Sequence, residues 1–350
     1  FAVTLSVLVV TCPCALSLAT PAALTAATGA LTRLGVLTTR GHALETLAHA
    51  THMIFDKTGT LTEGRLRLDS VETFTTLDRN ECLRIAAALE RGSEHPIARA
   101  LIAEAPESPS AEAMLASPGQ GIEGVVDGDR YRIGVSAYVS ELCMDDVSIS
   151  GDSLSSVVLG NQYGVLAHFC FADHLRAGAE ATIRQLQQLG LEVELLSGDE
   201  LNAVQSVAST LGIDRFQARS RPEDKLARIR ELQSAGAVVA MIGDGVNDAP
   251  VLAGAQVSLA MGGGTQLAHA SADMVLLSEQ LPHLVDAVRT SRRTLVVIRQ
   301  NLAWALVYNI VALPLAAVGW VAPWMAAIGM STSSLVVVLN ALRLRNKGVS

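Results

Sequence analysis

The stretch HMIFDKTGTLT, residues 52–62, decides the fold of the soluble part of this chain. It opens with a short apolar run that suits a β-strand, and a polar motif containing glycine follows at once. Two later stretches repeat this arrangement: LEVELLSGD over residues 191–199 and AVVAMIGDGVNDAP over residues 237–250. Each stretch therefore predicts a short buried strand that ends at a cluster of polar side chains.

Helical patterns separate these predicted strands. Residues 176–190 carry apolar side chains at helical spacing and end in glycine, and residues 222–236 begin with proline and show a similar apolar face. Strands that alternate with helices predict a doubly wound parallel sheet, an α/β fold. Because ligands bind beyond the carboxyl ends of the strands in such sheets, we expect the three polar motifs to face one crevice.

The stretch between residues 65 and 164 does not follow this alternation. It contains joints rich in proline and serine and short strands of alternating polarity. We interpret it as an α+β domain inserted into the sheet domain after the first strand-end motif. The sheet domain is then divided into residues 33–64, which include a linker, and residues 165–290.

Two apolar segments, residues 1–32 and 301–342, contain no Asp, Glu, Lys or Arg, and half of the 350 residues are hydrophobic. A helix needs about 20 apolar residues to cross a bilayer. The first segment therefore predicts one transmembrane helix over residues 1–32. The second predicts two, over residues 295–319 and 321–342.

Basic residues flank these spans on one side of the membrane. They follow the first span, precede the second and follow the third, whereas the connection between the second and third spans is uncharged. By the positive-inside rule, the soluble domains and the tail over residues 343–350 are expected in the cytoplasm. We expect a multi-pass protein of a bacterial cytoplasmic membrane, surrounded by membrane lipid. The net charge of −8 argues against nucleic acid as a partner.

The first and third strand-end motifs are acidic, with Asp56 in one and Asp244 and Asp248 in the other. Three carboxylates in one crevice would repel one another unless a hard cation bridged them, and Mg²⁺ prefers oxygen ligands and brings phosphate with it. Side chains suited to phosphate oxygens are Thr58, Ser197 and Lys225. Such a site attacks a phosphoryl group with a carboxylate and forms an aspartyl phosphate.

Asp and Gly at a strand end are also ordinary turn residues, but DKTGTLT and GDGVNDAP occur here together and in this order. Both motifs resemble those of the P-type cation-transporting ATPases, whose phosphorylation domain has the haloacid dehalogenase-like fold. The resemblance implies that Asp56 is phosphorylated, that Lys225 and Ser197 bind phosphoryl oxygens, and that Asp244 holds Mg²⁺ together with Asp56 and Asp248. The catalytic set that it implies is Asp56, Lys57, Thr58, Ser197, Gly198, Asp199 and Lys225.

One position separates a pump from a phosphatase. Related phosphatases carry a second Asp two residues after the nucleophile, where it acts as general acid and base. Thr58 occupies this position here and cannot serve as that acid or base. We therefore expect a longer-lived phosphoenzyme, which suits a pump.

The inserted domain resembles the nucleotide-binding domain of the heavy-metal subclass. SEHPIA over residues 93–98 is similar to its His-Pro motif, whose His contacts adenine, and GQG over residues 119–121 is similar to its Gly-x-Gly loop. The ATP-binding residues implied are Glu90, His95, Pro96, Gly119 and Gly121. A His-Pro pair is also a common turn, and GQG is also common in hairpins. The usual Gly-Asn of this domain is replaced here by Gly134-Val135.

Within the first span, the stretch TCPCALS begins at Thr11. Pro13 removes a backbone hydrogen bond, so Cys12 and Cys14 present two thiols within one unwound turn. Soft thiolates select Cu(I) or zinc, although a single buried cysteine is ordinarily a small hydrophobe. The Cys-Pro-Cys sequence resembles the intramembrane metal site of the heavy-metal P-type ATPases.

The later spans are similar to those of the copper subclass, with YN at residues 308–309 and MSTSS at residues 330–334. Zinc and cadmium pumps would carry charged residues there, and residues 301–342 have none. The resemblance implies the following Cu(I) ligands: Cys12, Cys14, Tyr308, Asn309, Met330 and Ser333.

The resemblance covers essentially the whole chain. It implies ATP-driven export of Cu(I) or Ag(I), with ATP and Mg²⁺ as cofactors and a chaperone or thiol-bound copper as cytoplasmic donor. The alternatives are a zinc or cadmium pump, a membrane-tethered phosphatase of the same superfamily, and a metal-binding scaffold without activity. Because the chain starts inside a span, at Phe1, and carries no TGE-bearing actuator domain, we expect a fragment of a longer protein that does not complete transport alone.

Overall fold

The computed structural model describes residues 2–143, 156–244 and 249–345. The chain forms two compact units: the first consists of Phe1–Leu61 and Leu175–Ser350, and the second is Thr62–His174. The strands in chain order are β1 (Val36–Thr38), β2 (His52–Asp56), β3 (Thr62–Thr73), β4 (Glu112–Ser117), β5 (Gly121–Val126), β6 (Asp129–Gly134), β7 (Ser156–Asn161), β8 (Gly164–Leu175), β9 (Glu192–Leu196), β10 (Arg215–Gln217), β11 (Val239–Gly243), β12 (Val257–Met261) and β13 (Met274–Leu276). The helices are α1 (Ala2–Val10), α2 (Cys14–Arg33), α3 (Ala43–Ala48), α4 (Arg79–Glu90), α5 (Pro96–Glu104), α6 (Ser136–Ser140), α7 (Ala179–Gln188), α8 (Leu201–Leu211), α9 (Pro222–Ser234), α10 (Ala249–Gly254), α11 (Gln266–Ser271), α12 (Pro282–Ala317) and α13 (Pro323–Leu342).

The first unit contains a seven-stranded sheet in the order β1-β13-β12-β11-β2-β9-β10. Only the edge strand β1 is antiparallel to its neighbour. Phe55 of β2 lies opposite Leu195 of β9 and Ile242 of β11. The three strands that end in polar motifs are therefore adjacent, which confirms the predicted parallel sheet and the convergence of its motifs.

Helices cover both faces of this sheet because successive side chains of a strand point to opposite sides. Phe55 and Ile242 belong to a core that includes side chains of α2, α3, α7, α8 and α12. Ile54 and Met241, one residue earlier in each strand, pack against α9, α10 and α11. The sheet is doubly wound, as predicted, and its strand ends remain open for a site.

The second unit is an antiparallel six-stranded sheet in the order β3-β8-β7-β6-β5-β4. Helices α4 and α5 cover one face through a core that includes Leu89, Leu101 and Phe169, each fully buried. The side chain of Asp78 accepts a hydrogen bond from the Glu81 N–H at 2.7 Å and caps the start of α4. An α+β unit within the α/β fold is therefore confirmed.

Three helical segments are long and apolar enough to cross a membrane: Ala2–Arg33, which contains α1 and α2, then α12 and α13. Helix α12 begins well before the apolar stretch that predicted a span over residues 295–319. Its first turns carry Leu284 and Val288, which are buried in the same core as Leu31 of α2 and the strands of the seven-stranded sheet. One unbroken helix therefore runs from the sheet into the apolar bundle.

Candidate functional site

Asp56 and Lys225 form the centre of the site at the strand ends. Asp56 is the last residue of β2, and Lys225 lies in the first turn of α9, which starts with Pro222. The Lys225 Nζ donates to Asp56 Oδ1 at 2.7 Å. Both residues are more than nine-tenths buried. The ammonium therefore holds the carboxylate in a fixed orientation where little water reaches it.

Asp244 follows β11 and lies beside the tight turn Lys57–Leu61 that follows Asp56. Gly59 in this turn has a φ of +70°, and a Cβ there would lie only 2.4 Å from Asp244 Oδ2. Glycine is therefore required by both backbone conformation and space. This close approach places the Asp244 carboxylate at the end of β2, which is the strand that Asp56 ends. The third predicted magnesium ligand, Asp248, lies outside the described residues.

One carboxylate oxygen of Asp199 contacts three of the predicted side chains. The Lys57 ammonium is 2.7 Å from Asp199 Oδ2, and the hydroxyls of Ser197 and Thr58 donate to it at 2.9 and 3.2 Å. Burial would raise the pKa of Asp199, but the bond and charge of Lys57, together with the two hydroxyls, hold that pKa below its usual value. The SGD and DKT motifs are thus joined by a charged hydrogen-bond network.

Gly198 lies between Ser197 and Asp199 and has no packing reason to be glycine. A Cβ there would meet only the Ser220 carbonyl, at an ordinary 3.6 Å. A missing side chain at this point leaves the backbone at the end of β9 accessible to a ligand.

Two ion pairs near the site were not predicted from the sequence. Arg176 donates to the Gly59 carbonyl at 2.9 Å and to Glu279 at 2.8 Å, and it thereby stabilises the turn after Asp56.

Arg228, one turn after Lys225 on α9, donates two hydrogen bonds to the buried carboxylate of Glu194 on β9, at 3.0 and 3.1 Å. The available signal was Glu194 itself, a charged residue in the middle of the apolar run LEVELL.

The second unit contains a cavity of about 370 Å³. Four of the five predicted nucleotide-binding residues line it, namely Glu90, His95, Gly119 and Gly121. Glu90 is 7% exposed, and its Oε2 has no hydrogen-bond partner within the three described ranges. Burial raises the pKa of Glu90, and this rise is only partly offset by a hydrogen bond from Ser93 and by the charge of His95.

Three of the predicted nucleotide-binding residues, His95, Pro96 and Gly121, also stabilise the local backbone, whereas Gly119 does not. His95 caps α5, with its Nδ1 accepting from the Ile97 N–H at 3.3 Å, and Pro96 is the first residue of that helix. A Cβ on Gly121 would lie 2.1 Å from the Ile133 carbonyl, so the pairing of β5 with β6 itself demands glycine there. Gly119, with a φ of +74° and open space around it, has no such packing constraint.

The first apolar segment is interrupted where the sequence predicted. Helix α1 ends at Val10 and α2 begins at Cys14, with Thr11 to Pro13 outside either helix. The Cys14 Sγ is 3.9 Å from the Met330 Sδ of α13. Cys12 is exposed and forms no disulfide, and its side chain lies within hydrogen-bonding reach of Cys14. The structure thus brings the Cys14 thiol to the Met330 thioether at the helix break, with Cys12 beside Cys14.

Tyr308 and Ser333 lie on the facing surfaces of α12 and α13, and Tyr308 approaches α13 at the residue before Met330. A Cβ on Gly329, the residue before Met330, would lie 2.9 Å from the Tyr308 hydroxyl. Ser333 is buried and accepts the indole N–H of Trp304 at 3.2 Å. Asn309 is half-buried and makes no side-chain hydrogen bond in the part of the chain that the structure describes.

Comparison with known proteins agrees with this geometry. A model of the haloacid dehalogenase-like hydrolase family matches residues 51–256, which include all three strand-end motifs. The chain belongs to this family. The prediction of an enzyme with a haloacid dehalogenase-like domain is therefore confirmed.

This haloacid dehalogenase-like hydrolase is also similar to P-type ATPases. It is 40% identical to the probable copper-exporting P-type ATPase V of Mycobacterium tuberculosis, over 98% of this chain and 46% of that protein. It is 37% identical to the probable copper-importing P-type ATPase A of Enterococcus hirae, over 98% and 48%. The chain spans about half the length of the curated relatives it matches.

A solved structure extends the likeness to three dimensions. The crystal structure of a zinc-transporting PIB-type ATPase in the E2.Pi state matches with a TM-score of 0.84 at 36% identity. The match covers 96% of this hydrolase and 57% of that chain. The resemblance to the P-type ATPases that the motifs predicted is confirmed.

Proposed function

We propose that this chain is the catalytic and metal-binding part of a heavy-metal P-type ATPase that exports Cu(I) through an aspartyl phosphate at Asp56. The observation that carries the proposal is a combination within one chain. A buried Asp56–Lys225 pair, 2.7 Å apart, ends a parallel strand, and a broken apolar helix brings Cys14 within 3.9 Å of Met330. Copper-transporting relatives at 40% identity support the same assignment.

Asp56 is the nucleophile in this proposal. Its carboxylate attacks the γ-phosphoryl group of ATP, an O–P bond forms, and the bond to the ADP oxygen breaks. Lys225 orients the carboxylate beforehand and offsets the negative charge of the phosphoryl oxygens during transfer. Ser197 and the accessible backbone at Gly198 supply hydrogen-bond donors at the end of the neighbouring strand.

Asp244 would hold Mg²⁺ together with Asp56 and Asp248. The glycine at position 59 fits this role, because any side chain there would occupy the space beside Asp244 Oδ2. A magnesium ion bound there would neutralise phosphate charge and clamp the transferring group.

Thr58 favours a pump over a membrane-tethered phosphatase. Its hydroxyl donates to Asp199 at 3.2 Å, and a hydroxyl of ordinary pKa cannot deprotonate an attacking water at neutral pH. The aspartyl phosphate therefore survives long enough for a conformational step to precede its hydrolysis.

The cavity of the second unit would hold the adenine. Glu90 presents a buried carboxylate oxygen without a partner among the described residues, and an unpaired buried acceptor is costly until a donor fills it. The exocyclic amine of adenine is such a donor. His95 and Gly119 complete the lining, and Gly121 contributes through the sheet geometry it permits.

Cys12, Cys14 and Met330 would bind the transported ion, with Tyr308 close by and Asn309 and Ser333 as weaker oxygen ligands. Two thiolates and a thioether suit Cu(I), and Ag(I) shares this preference for soft ligands. No carboxylate lies in residues 301–342 to favour a harder divalent ion. Copper is therefore the first choice of cargo.

We propose export from the cytoplasm across a bacterial cytoplasmic membrane, although the relatives carry names for both directions. The basic ends of α2, α12 and α13 favour a cytoplasmic position for the soluble units. A copper chaperone or thiol-bound copper would then supply the ion. The remaining parts of a longer polypeptide would complete the transport cycle.

A zinc-type pump is the second candidate, because the zinc-transporting structure superposes at a TM-score of 0.84. The same membrane thiols would then serve Zn²⁺ with harder ligands from elsewhere. The two candidates differ in the metal that stimulates ATP hydrolysis, which one assay decides.

Cys14→Ser in the full-length protein tests the proposal, because it keeps the size of the side chain and replaces soft sulfur with hard oxygen. We expect Cu(I)-stimulated ATP hydrolysis to be lost while phosphorylation of Asp56 by inorganic phosphate persists, since the latter needs no metal. Parallel assays with Zn²⁺ give the cargo. Unchanged stimulation by copper in Cys14→Ser would overturn the copper-site assignment, and stimulation by Zn²⁺ alone would support the second candidate.

A further inference from the structure

Charge is distributed very unevenly along this chain. Residues 1–44 and 287–350 contain nine of the 26 Lys and Arg residues and none of the 34 Asp and Glu residues. These segments include α1, α2, α13 and nearly all of α12. The bundle of apolar helices is therefore positively charged, whereas the remainder of the chain is strongly acidic.

Four of these basic residues lie together and are called here the interface arginines: Arg33, Arg299, Arg343 and Arg345. Arg33 ends α2 and donates to the Arg345 carbonyl at 2.8 Å. Arg343 donates to Asn340 at 3.0 Å, and Asn340 in turn donates to Gln300 at 3.2 Å, next to Arg299. These contacts place the ends of α2 and α13 and this turn of α12 at one level.

The interface arginines are exposed, and none of their hydrogen bonds within the described residues goes to a carboxylate. Their hydrogen bonds go to carbonyl and amide oxygens. Within residues 2–143, 156–244 and 249–345, none of the four takes part in an ion pair. Four guanidinium groups at one level without a counter-charge form a surface complementary to anions.

The position of this surface along the helices identifies the anion. At a rise of about 1.5 Å per residue, Arg299 lies about 27 Å from the end of α12 near Trp320, and Arg343 lies about 28 Å from Trp324 at the start of α13. Both tryptophans are largely exposed, at 77% and 66%, as expected at a membrane interface. The hydrocarbon of a bilayer is about 30 Å thick, so the interface arginines lie at the depth of lipid phosphates.

We propose that the interface arginines bind the phosphate groups of anionic phospholipids in the leaflet that faces the soluble units. A guanidinium group bonds a phosphate through two parallel N–H donors. The helix surfaces beside them, such as Leu306 and Ile310 on α12, are apolar and exposed and would contact the acyl chains. This inference rests on the proposal that α2, α12 and α13 span a bilayer.

The expected preference of the interface arginines for anionic over zwitterionic lipid can be stated as a ratio of binding constants. A basic residue near an anionic membrane surface strengthens binding about fivefold, and the effect fades when salt shortens the screening length. Removing two of the four arginines should therefore lower the preference for anionic over zwitterionic lipid by about 25-fold.

The three tryptophans of the chain make a direct test possible, because all of them lie in or between α12 and α13. In a Trp320→Phe/Trp324→Phe background, the remaining reporter Trp304 lies about 7 Å along α12 from Arg299. The full chain is reconstituted in vesicles of phosphatidylcholine that contain brominated phosphatidylcholine or brominated phosphatidylglycerol. Quenching of Trp304 by each lipid gives their relative binding constant.

We expect phosphatidylglycerol to be preferred at Trp304 by at least about 25-fold. This preference should fall about 25-fold in Arg299→Gln/Arg343→Gln and should be largely kept in Arg299→Lys/Arg343→Lys, which retain the positive charges. The matched control retains only Trp320, at the other end of α12, and should show no preference. Dissolved glycerol phosphate in excess distinguishes a lipid site from a general phosphate site: if it abolishes the preference, free phosphate is the ligand and the lipid assignment is wrong.

Equal quenching by both lipids at Trp304, or a full preference in the Gln variant, would overturn the inference. Should the Gln variant not fold, a salt titration of the unaltered arginines decides, because a preference that persists at high salt is not electrostatic. No quenching of Trp304 by either lipid would instead contradict the membrane span on which the inference rests.

Discussion

At the scale of single residues, burying the Asp56–Lys225 pair carries a large desolvation free energy. Removing two charges from water costs several kcal/mol for each ion, and their attraction in the interior roughly balances this cost, so apolar residues of similar size would hold the strand end as well. The pair lies at the end of a strand beside Asp244, where a doubly wound sheet binds its ligands. Its position is therefore explained by chemistry better than by stability.

The variant Lys225→Met separates the contribution of the Asp56–Lys225 pair to stability from its contribution to catalysis. Removing the ammonium partner of a buried carboxylate should lower the free energy of unfolding by about 3–5 kcal/mol and abolish phosphorylation by ATP. In Asp56→Asn/Lys225→Met the buried charge is gone, so most of the stability should return while phosphorylation does not. Chemical denaturation of both variants checks this, and a double variant as unstable as Lys225→Met would contradict the argument.

Glu90 predicts a dependence of stability on pH. Burial raises its pKa in the folded chain above the 4.5 of the free side chain. The stabilisation from the neutral carboxyl is complete below pH 4.5 and is lost as pH rises through the raised pKa, because the folded state then gives up a proton that it holds more tightly. Glu90→Gln does not titrate.

Relative to the unaltered chain, Glu90→Gln should therefore gain thermal stability between pH 4.5 and neutrality. Thermal unfolding of the two proteins across this range measures the difference. Parallel profiles would show that Glu90 is not desolvated in the folded state. The same variant should bind ATP more weakly at neutral pH, because it replaces one of the two acceptor oxygens of the carboxylate with an NH2 group, which is a donor.

At the scale of elements, the interruption between α1 and α2 follows from Pro13, which has no N–H for an intrahelical bond. Pro13→Ala should restore a continuous helix over residues 2–33 and turn the Cys12 thiol away from the Cys14–Met330 contact. We expect loss of Cu(I) binding at the membrane site, measured as metal stoichiometry, with more helix by circular dichroism. Pro21→Ala is the matched control, because Pro21 lies inside α2 without interrupting it; equal effects of both changes would contradict this role of Pro13.

The elements that the sequence predicted best were those with strong local patterns. The strand-end motifs lie on adjacent strands. Crossover connections between parallel strands are almost always right-handed, so few orders of the strands in the sheet are possible. The role of Gly121 was not predictable, since it depends on the register that pairs it with Gly134. The Trp304–Ser333 bond was also missed, because the rotation of a helix about its axis is set by packing with its neighbours.

At the scale of the whole molecule, α12 joins the seven-stranded sheet to the bundle of apolar helices. Arg292 near its start donates to the Leu189 carbonyl at the end of α7 at 2.6 Å, and Tyr308 further along the same helix approaches Gly329. A continuous helix of 36 residues connects these two points directly. The soluble part of the helix could not be separated from its span by composition alone, because both halves have an apolar face.

Val296→Pro interrupts α12 between these contacts at an exposed position, where proline costs about 3 kcal/mol of helix stability. We expect phosphorylation of Asp56 by inorganic phosphate to persist while stimulation of ATP hydrolysis by Cu(I) is lost. Val296→Ala removes the same side chain and keeps the helix, so it should behave like the unaltered protein. Normal stimulation in the proline variant would show that coupling does not depend on an unbroken α12.

The central claim is that Cu(I) in the membrane drives phosphorylation of Asp56 by ATP. Its most direct test is the acid-stable, hydroxylamine-sensitive label that γ-labelled ATP leaves on the full-length protein, with Cu(I) supplied or removed by a chelator. We predict a label that requires Cu(I), that is removed by hydroxylamine and that is absent from Asp56→Asn. A label that persists in Asp56→Asn, or one that forms equally without copper, would contradict it.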